Sequence, residues 1–369
     1  MVGNAAWPLL DSTQKLTNSE FREREVCKVV QEGTKFETLS REAFGAFLDG
    51  IGKTTVDGRP AEASRTAFIT AFIRGFHSAN ENPKVFDDWM AARLLTAEEY
   101  AFFEEMYYRR ALKSAAGAPA SPGRRESVVR QAMRAGAAGG ILSRARFAED
   151  SLEKAVAEGV QQYVLLGAGL DTFALRRADL LGKIRVIEVD HPATQAVKRE
   201  RLAAMGVSLP VSLHFVAVDF SQEDLSHALS RSCFDSDIPA FFSWLGVSYY
   251  LEREDLFKVL RSLSEAAAPG SQIAFDYMDL KAFDPDQATP EIQKLKDKVR
   301  FLGEPMKSGL DPEALKKDLM GVGWDLRQNL SAEDIEEMYF RGCATGLRTG
   351  KHIHLALAAL PSQPGIRGR

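Results

Sequence analysis

The chain has 369 residues, of which 45% are hydrophobic, enough apolar content for one large or two ordinary domains. A formal net charge of −4 gives no basic footprint for nucleic acid or an anionic membrane. Cys27, Cys233 and Cys343 are too few and too scattered for a disulfide framework or a metal-ligand cluster, which fits a reducing cytoplasm. The N-terminal MVGNAAWPLLDSTQK lacks the basic start and long apolar core of a signal peptide. No run approaches the ~20 apolar residues that cross a bilayer, so a soluble cytoplasmic protein is expected.

Residues 1 to about 60 carry the least pattern and read as an N-terminal extension. Within them, 40–51 is a short amphipathic helix with Phe44, Phe47 and Leu48 on one side, and Lys53 to Pro60 reads as a loop. Residues 64–80 place Phe68, Phe72, Ile73 and Phe76 at helical spacing, as a helix packed on a core would. Thr96 and Glu99 have the spacing of a capping box ahead of Tyr100, Phe103 and Tyr107. Residues 113–124 (KSAAGAPASPGR) are the best linker candidate. Helical pattern resumes near Glu126, is interrupted at Gly139-Gly140, and stops at Gly159. A helical cap over 61–158 and a core over 159–369 are the expected divisions, with no internal repeat.

Residues 163–190, YVLLGAGLDTFALRRADLLGKIRVIEVD, organise the rest. Tyr163 to Leu166 is an apolar run suited to a strand buried on both faces. Gly167 and Gly169 break it and permit backbone angles closed to other residues. Asp171 and Thr172 can cap a following helix, and a second strand, Ile184 to Val189, stops on Asp190. Strand, glycine turn, helix, strand and terminal carboxylate form a βαβ unit for an adenosine-containing ligand. The glycines admit the ligand to the backbone, and the carboxylate, 21 residues after Gly169, can accept from both ribose hydroxyls.

The strand–helix alternation then continues, which predicts a mainly parallel sheet with helices on both faces. A helix over 192–205 starts on Pro192, where the missing N–H costs nothing. Leu213 to Val218 is the third strand and also ends on an acid, Asp219; Ala240 to Trp244 is the fourth. A helix follows near 252–267, a fifth strand starts at Ser271, and a helix capped at Asp311 ends at Gly321. A strand after Gly323 and a buried run from His352 to Leu360 complete the pattern and are free to pair antiparallel.

Two cofactors compete for the βαβ unit. A pyrophosphate-bearing dinucleotide such as NAD needs a third glycine where this chain has Thr172, and the Tyr-x-x-x-Lys pair of short-chain dehydrogenases becomes Tyr249 and Arg253. S-adenosylmethionine has no phosphate and tolerates that loss. A second acid at a strand end, Asp219, suits the exocyclic amine of adenine, so the two-acid pattern favours S-adenosylmethionine.

The segments LLGAGLDT, RVIEVDHPATQAVKRERL, HFVAVDF and FFSWLGVSYYL, in this order, resemble the leucine carboxyl methyltransferase family, closest to its bacterial branch of S-adenosylmethionine-dependent O-methyltransferases. With SRTAFITAFIRGFH, VFDDWMA and GEPMKSGLDPEAL the resemblance runs from about Ser64 to Leu360. It implies a class I methyltransferase fold: a Rossmann-like α/β architecture with a seven-stranded, mostly parallel sheet, its last strand antiparallel, and an N-terminal helical cap. It further implies that Gly167, Ala168 and Gly169 line the methionine part of S-adenosyl-L-methionine, Asp190 holds the ribose, and Asp219 and Phe220 meet adenine. Arg144 matches the family arginine for the cofactor carboxylate, with Arg146 close enough to be the alternative.

The chain departs from the eukaryotic members at Leu245, where they carry an acid just before the glycine. That leaves the acceptor open between a carboxylate and a hydroxyl of a small molecule, and leaves a non-catalytic cofactor-binding role as a further alternative. No residue stands out as a general base. His191 reads as structural beside the ribose end; His352 and His354 share one strand face but lack the ligands that would complete a metal site.

Overall fold

A computed structural model of the chain describes residues 41–114, 125–220, 222–342 and 346–362. The expected linker lies almost wholly outside them. Helix α1 (Arg41–Gly50) is followed by strands β1 (Lys53–Val56) and β2 (Arg59–Glu62), then helices α2 (Arg65–Asn80), α3 (Ala97–Ser114), α4 (Arg125–Arg134) and α5 (Ala138–Ala157). The core starts with β3 (Gln162–Leu166), a single helical turn α6 (Phe173–Arg176), β4 (Arg185–Asp190), α7 (Pro192–Ala204), β5 (Leu213–Ala217) and α8 (Leu225–Ser230). It continues with β6 (Ala240–Trp244), α9 (Arg253–Ala266), β7 (Gln272–Met278), α10 (Pro290–Phe301), α11 (Leu315–Met320), β8 (Asp325–Leu330) and β9 (Ile353–Ala359).

Seven strands form one sheet in the order β5-β4-β3-β6-β7-β9-β8, the first five parallel and β9 antiparallel to both neighbours. This is the class I methyltransferase arrangement. Strand β3 is buried along its whole length, and its alternate residues feed two apolar clusters. Tyr163 and Leu165 join Phe68, Phe72 and Phe76 of α2, while Val164 and Leu166 join Trp244 and Trp324 on the other face. Such two-sided burial selects the near-continuous apolar strands seen in the sequence. The chain leaves β3 toward β4 on one side and reaches β6 on the other, so the sheet switches direction beside the C-terminal end of β3, where open α/β sheets bind ligands.

Two readings are corrected. Residues 53–60 are not a loop: β1 and β2 pair antiparallel from Lys53↔Glu62 to Val56↔Arg59 around Asp57-Gly58. Both turn residues have positive φ (50° and 74°), the geometry that makes Asp-Gly a hairpin turn. Gly139 and Gly140 do not interrupt a helix either; they lie inside α5, and the break falls just before it. A Cβ at Gly139 would collide with the Arg348 carbonyl, and one at Gly140 would lie 2.8 Å from Ile353 Cδ1, so the pair lets α5 approach the β9 segment. The capping box at Thr96 is present: Glu99 N–H donates to Thr96 Oγ1 (3.1 Å), and Thr96 N–H to Glu99 Oε2 (2.9 Å).

Beyond Met278 the chain leaves the C-terminal end of β7, carries α10, and returns at Leu310. Its neck is closed by Leu310 N–H to Met278 O (2.8 Å) and Leu280 N–H to Leu310 O (3.1 Å). Ala282 and Ile292 of this strap pack with Met278 and Tyr249, and Met306 and Tyr250 pack against them. The strap thereby covers the segment that follows β6.

Candidate functional site

The glycine turn is held by its own strands. Gly167 (φ 70°) and Ala168 donate their N–H groups to Val189 O at 2.8 and 3.2 Å, and Gly169 (φ 54°) donates to the Asp190 carboxylate. The other Asp190 oxygen accepts from His191 N–H at 2.6 Å. One lone pair on each oxygen is thus spent on backbone, leaving one on each for a pair of hydroxyls. Burial pushes the Asp190 carboxyl up, and the two backbone donors oppose that. Both glycines are favoured by their positive φ, and a side chain would be crowded at each, most of all at Gly167. A Cβ at Gly167 would lie 2.5 Å from Val247 Cγ2, and one at Gly169 would lie 3.3 Å from Ala67 Cβ of α2.

Asp219 falls beside this turn. Asp190 is opposite Ala217 in the β4–β5 register, and Val218 N–H donates to Asp190 O (2.8 Å), which puts Asp219 just past the neighbouring strand end. His191 lies between the two acids, with Nε2 3.9 Å from Asp219 Oδ2. Its Nδ1 accepts from Ala193 N–H (3.3 Å), so the imidazole caps α7. Phe220 is half-buried against the Trp244-side cluster.

Arg144 reaches the same edge from α5. Its Nη1 donates to Tyr249 Oη (2.9 Å) and to Asp276 Oδ2 (3.0 Å). The other Asp276 oxygen accepts from Gly246 N–H at 2.6 Å. The guanidinium lies on Gly246 (φ 73°), where a Cβ would be 2.5 Å from Nη2. Burial works against the Arg144 charge, but Tyr249 and Asp276 more than offset it and keep the group cationic. Burial pushes the Tyr249 phenol up to about 12, so at neutral pH it is a proton donor and not a base. Arg146 pairs instead with Asp150 (2.7 Å) on the half-exposed side of α5, which leaves Arg144 facing the glycine edge.

Sequence reasoning missed what clamps the cap onto this turn. Asp88 is buried and accepts from Arg74 Nε (2.8 Å), Thr172 Oγ1 (2.5 Å) and Ala91 N–H (3.0 Å), with Arg176 Nε at 3.2 Å. Burial alone would raise its pKa, but Arg176 and Arg74 hold it below the usual carboxylate range. Arg74 also donates to Leu170 O (2.7 Å), inside the turn itself. Thr172 therefore spends its hydroxyl on Asp88 while the Asp171 carboxylate caps Phe173 N–H (2.7 Å). The usable signal was VFDDWMA, whose acids have no helical-face role.

The residues fit a nucleoside with a free ribose and no pyrophosphate. Asp190 has two acceptor sites left for the sugar. The third-glycine position is filled by a fully buried threonine, and the helix after the turn is a single turn long, too short a dipole for phosphates. The surface hollow lined by Gln162, Arg185 and Ser212 lies at the opposite, N-terminal ends of β3–β5 and takes no part. His352 and His354 turn to Asp279, at 2.8 and 3.7 Å, and His352 Nε2 accepts from Thr289 N–H (3.2 Å). These histidines fasten the strap. No group of three or more metal-ligating side chains occurs among the described residues.

Residues 67–264 match the leucine carboxyl methyltransferase family. The chain belongs to that family. Over 297 residues it is 32% identical to YktD of Bacillus subtilis (strain 168), covering 80% of this chain and 97% of the relative, which is named as a candidate S-adenosyl-L-methionine-dependent methyltransferase. A Mycobacteroides abscessus relative with the same designation is 31% identical over 212 residues, 56% of this chain and 66% of its own length. Among solved structures, a DUF574 family protein from Streptomyces avermitilis superposes with a TM-score of 0.50 at 12% identity, covering 81% of this chain and 98% of that one. That likeness concerns the fold alone. No described helix is long and apolar enough to cross a membrane.

Proposed function

We propose that this chain is an O-methyltransferase that moves the methyl group of S-adenosyl-L-methionine to an oxygen of a small-molecule acceptor, a carboxylate rather than a hydroxyl. The methyltransferase class and its donor come with the family; the oxygen acceptor is the added reading. It rests on the juxtaposition of Asp190, Asp219 and the Gly167–Gly169 turn with Arg144 and Tyr249 on one edge of the sheet.

When bound, the donor supplies a sulfonium methyl whose leaving group is already activated, so the protein needs to position and to exclude water. In this reading Asp190 takes the ribose hydroxyls, Asp219 and Phe220 the adenine, Gly167 to Gly169 the methionine part, and Arg144 the carboxylate of that tail. The Tyr249 hydroxyl accepts from Arg144 and has its own proton left to donate, which orients an acceptor oxygen without deprotonating it. A carboxylate is already anionic at neutral pH and needs no base; a hydroxyl does. The two tyrosines of the site, both pushed up by burial, cannot serve as that base.

The test is incubation of the purified chain with methyl-tritiated S-adenosylmethionine and a small-molecule extract, followed by mild alkali. Methyl esters release volatile radioactive methanol, and ethers do not. Alkali-labile label is expected; label that is stable to alkali moves the acceptor to a hydroxyl, and no incorporation leaves a binding role only.

A further inference from the structure

We propose that Glu304, carried in by the strap, binds the α-ammonium group of the donor's methionine tail. This rests on the donor assignment above. An amino-acid tail brings two charges into a partly buried site, and each needs an opposite partner there. In that reading Arg144 answers the carboxylate, and the ammonium still needs an acid; Leu245, just before Gly246, is apolar and packs against the larger cluster.

Four neighbouring carboxylates have partners of their own. Asp276 is paired with Arg144, Asp88 with Arg74 and Arg176, and Glu188 with Lys198, while Asp190 holds Gly169 and His191. Glu304 has a different set of contacts. It accepts from Thr66 Oγ1 at 2.6 Å, Ser64 Oγ at 3.2 Å and Thr66 N–H at 3.4 Å, hydroxyl and amide donors that fix the carboxylate without neutralising it. Among the described residues no cation lies within ion-pair distance of it. It lies near both the glycine turn and Tyr249. Thr66 adjoins Ala67, which meets Gly169, and the charge of Glu304 is felt by Tyr249 and Tyr250, the first of which holds Arg144. The backbone after Glu304 is pinned there too, by Lys307 N–H to Tyr249 O at 2.8 Å. Asp171 makes no ion pair among the described residues either, but its charge is felt by Arg176 and its carboxylate caps Phe173 N–H.

Two nucleosides separate the roles. S-adenosylhomocysteine carries the amino-acid tail, whereas methylthioadenosine has the same ribose and adenine without it. With the full chain in calorimetry, Glu304→Gln is expected to weaken S-adenosylhomocysteine about tenfold or more, as loss of a charge-assisted bond does, and to leave methylthioadenosine within about twofold. Thr66→Val, which loosens the carboxylate without touching its charge, should give a smaller loss of the same tail-selective kind, and stands in if Glu304→Gln does not fold. Equal weakening of both nucleosides makes Glu304 a strap fastener only, and tail-selective loss from Asp171→Asn in its place gives the ammonium to Asp171; either overturns the proposal. Wild-type protein that binds neither nucleoside overturns the donor reading and this proposal together. Intact wild-type binding with no tail-selective loss overturns this proposal alone.

Discussion

On one side of the site Asp190 reaches Gly169, 21 positions away in the chain; on the other Glu304 reaches Thr66, 238 positions away. The first wall is made of strand ends and a turn whose geometry follows from neighbouring residues. The second is made of cap and strap, which meet the core through apolar packing of α2 on β3 and through polar pairings between segments far apart in the chain: Arg74 with Leu170, Thr172 with Asp88, His352 with Asp279 and Thr289. The glycine-turn wall is thus fixed by local backbone chemistry, and the roof by apolar packing together with a few buried polar contacts. Removing one of those contacts should damage the roof far more than a surface change would.

The largest effect is expected at Asp88. Asp88→Ala leaves Arg74 and Arg176 buried without their shared counterion and should cost about 3–5 kcal/mol of stability in urea unfolding. A loss below about 1 kcal/mol would mean that water reaches this cluster and that the clamp is a surface pair.

Next in size is an acid response of the cap. His77 in α2 is buried, its Nε2 accepting from Val85 N–H at 3.0 Å; burial, and then Lys84, lower its pKa to about 4. The folded state therefore binds this proton less readily than the unfolded chain. The contribution is complete above the unfolded value of 6.5 and is lost as pH falls toward about 4, up to roughly 3 kcal/mol. The difference in unfolding free energy between wild type and His77→Gln should shrink across that range; a difference independent of pH breaks the assignment.

A smaller effect, confined to the site, is expected for Gly246→Ala. The positive φ costs about 1–2 kcal/mol, and the added methyl pushes the Arg144 guanidinium off its seat. Affinity for S-adenosylhomocysteine should fall while that for methylthioadenosine holds, which would place Arg144 on the tail side; equal loss for both would place it elsewhere.

The same contrast explains how much could be read from the amino acids. The β3–β7 strands were legible because two-sided burial demands apolar runs, and the turn because glycines and a terminal acid stand in fixed order. The Lys53–Glu62 hairpin was missed because its strands are short and mostly exposed, with Pro60 in one of them, so only Asp57-Gly58 announced it. Gly139-Gly140 was misread because a glycine that permits close packing against Arg348 looks, in sequence, like one that ends a helix. Asp88 stood out only as an acid of VFDDWMA with no helical-face role, and nothing around it or Glu304 pointed to Arg74 or Thr66 as the partner.

The most direct measurement is a calorimetric titration of the full chain with S-adenosylhomocysteine, repeated with NAD and with Asp190→Asn. Saturable heat with the first ligand, none with NAD, and an affinity for the first reduced roughly tenfold or more in the variant, as expected when an acceptor for a ribose hydroxyl is lost, is the predicted result. Heat with NAD alone, or an Asp190→Asn protein that binds S-adenosylhomocysteine as tightly as wild type, would contradict it.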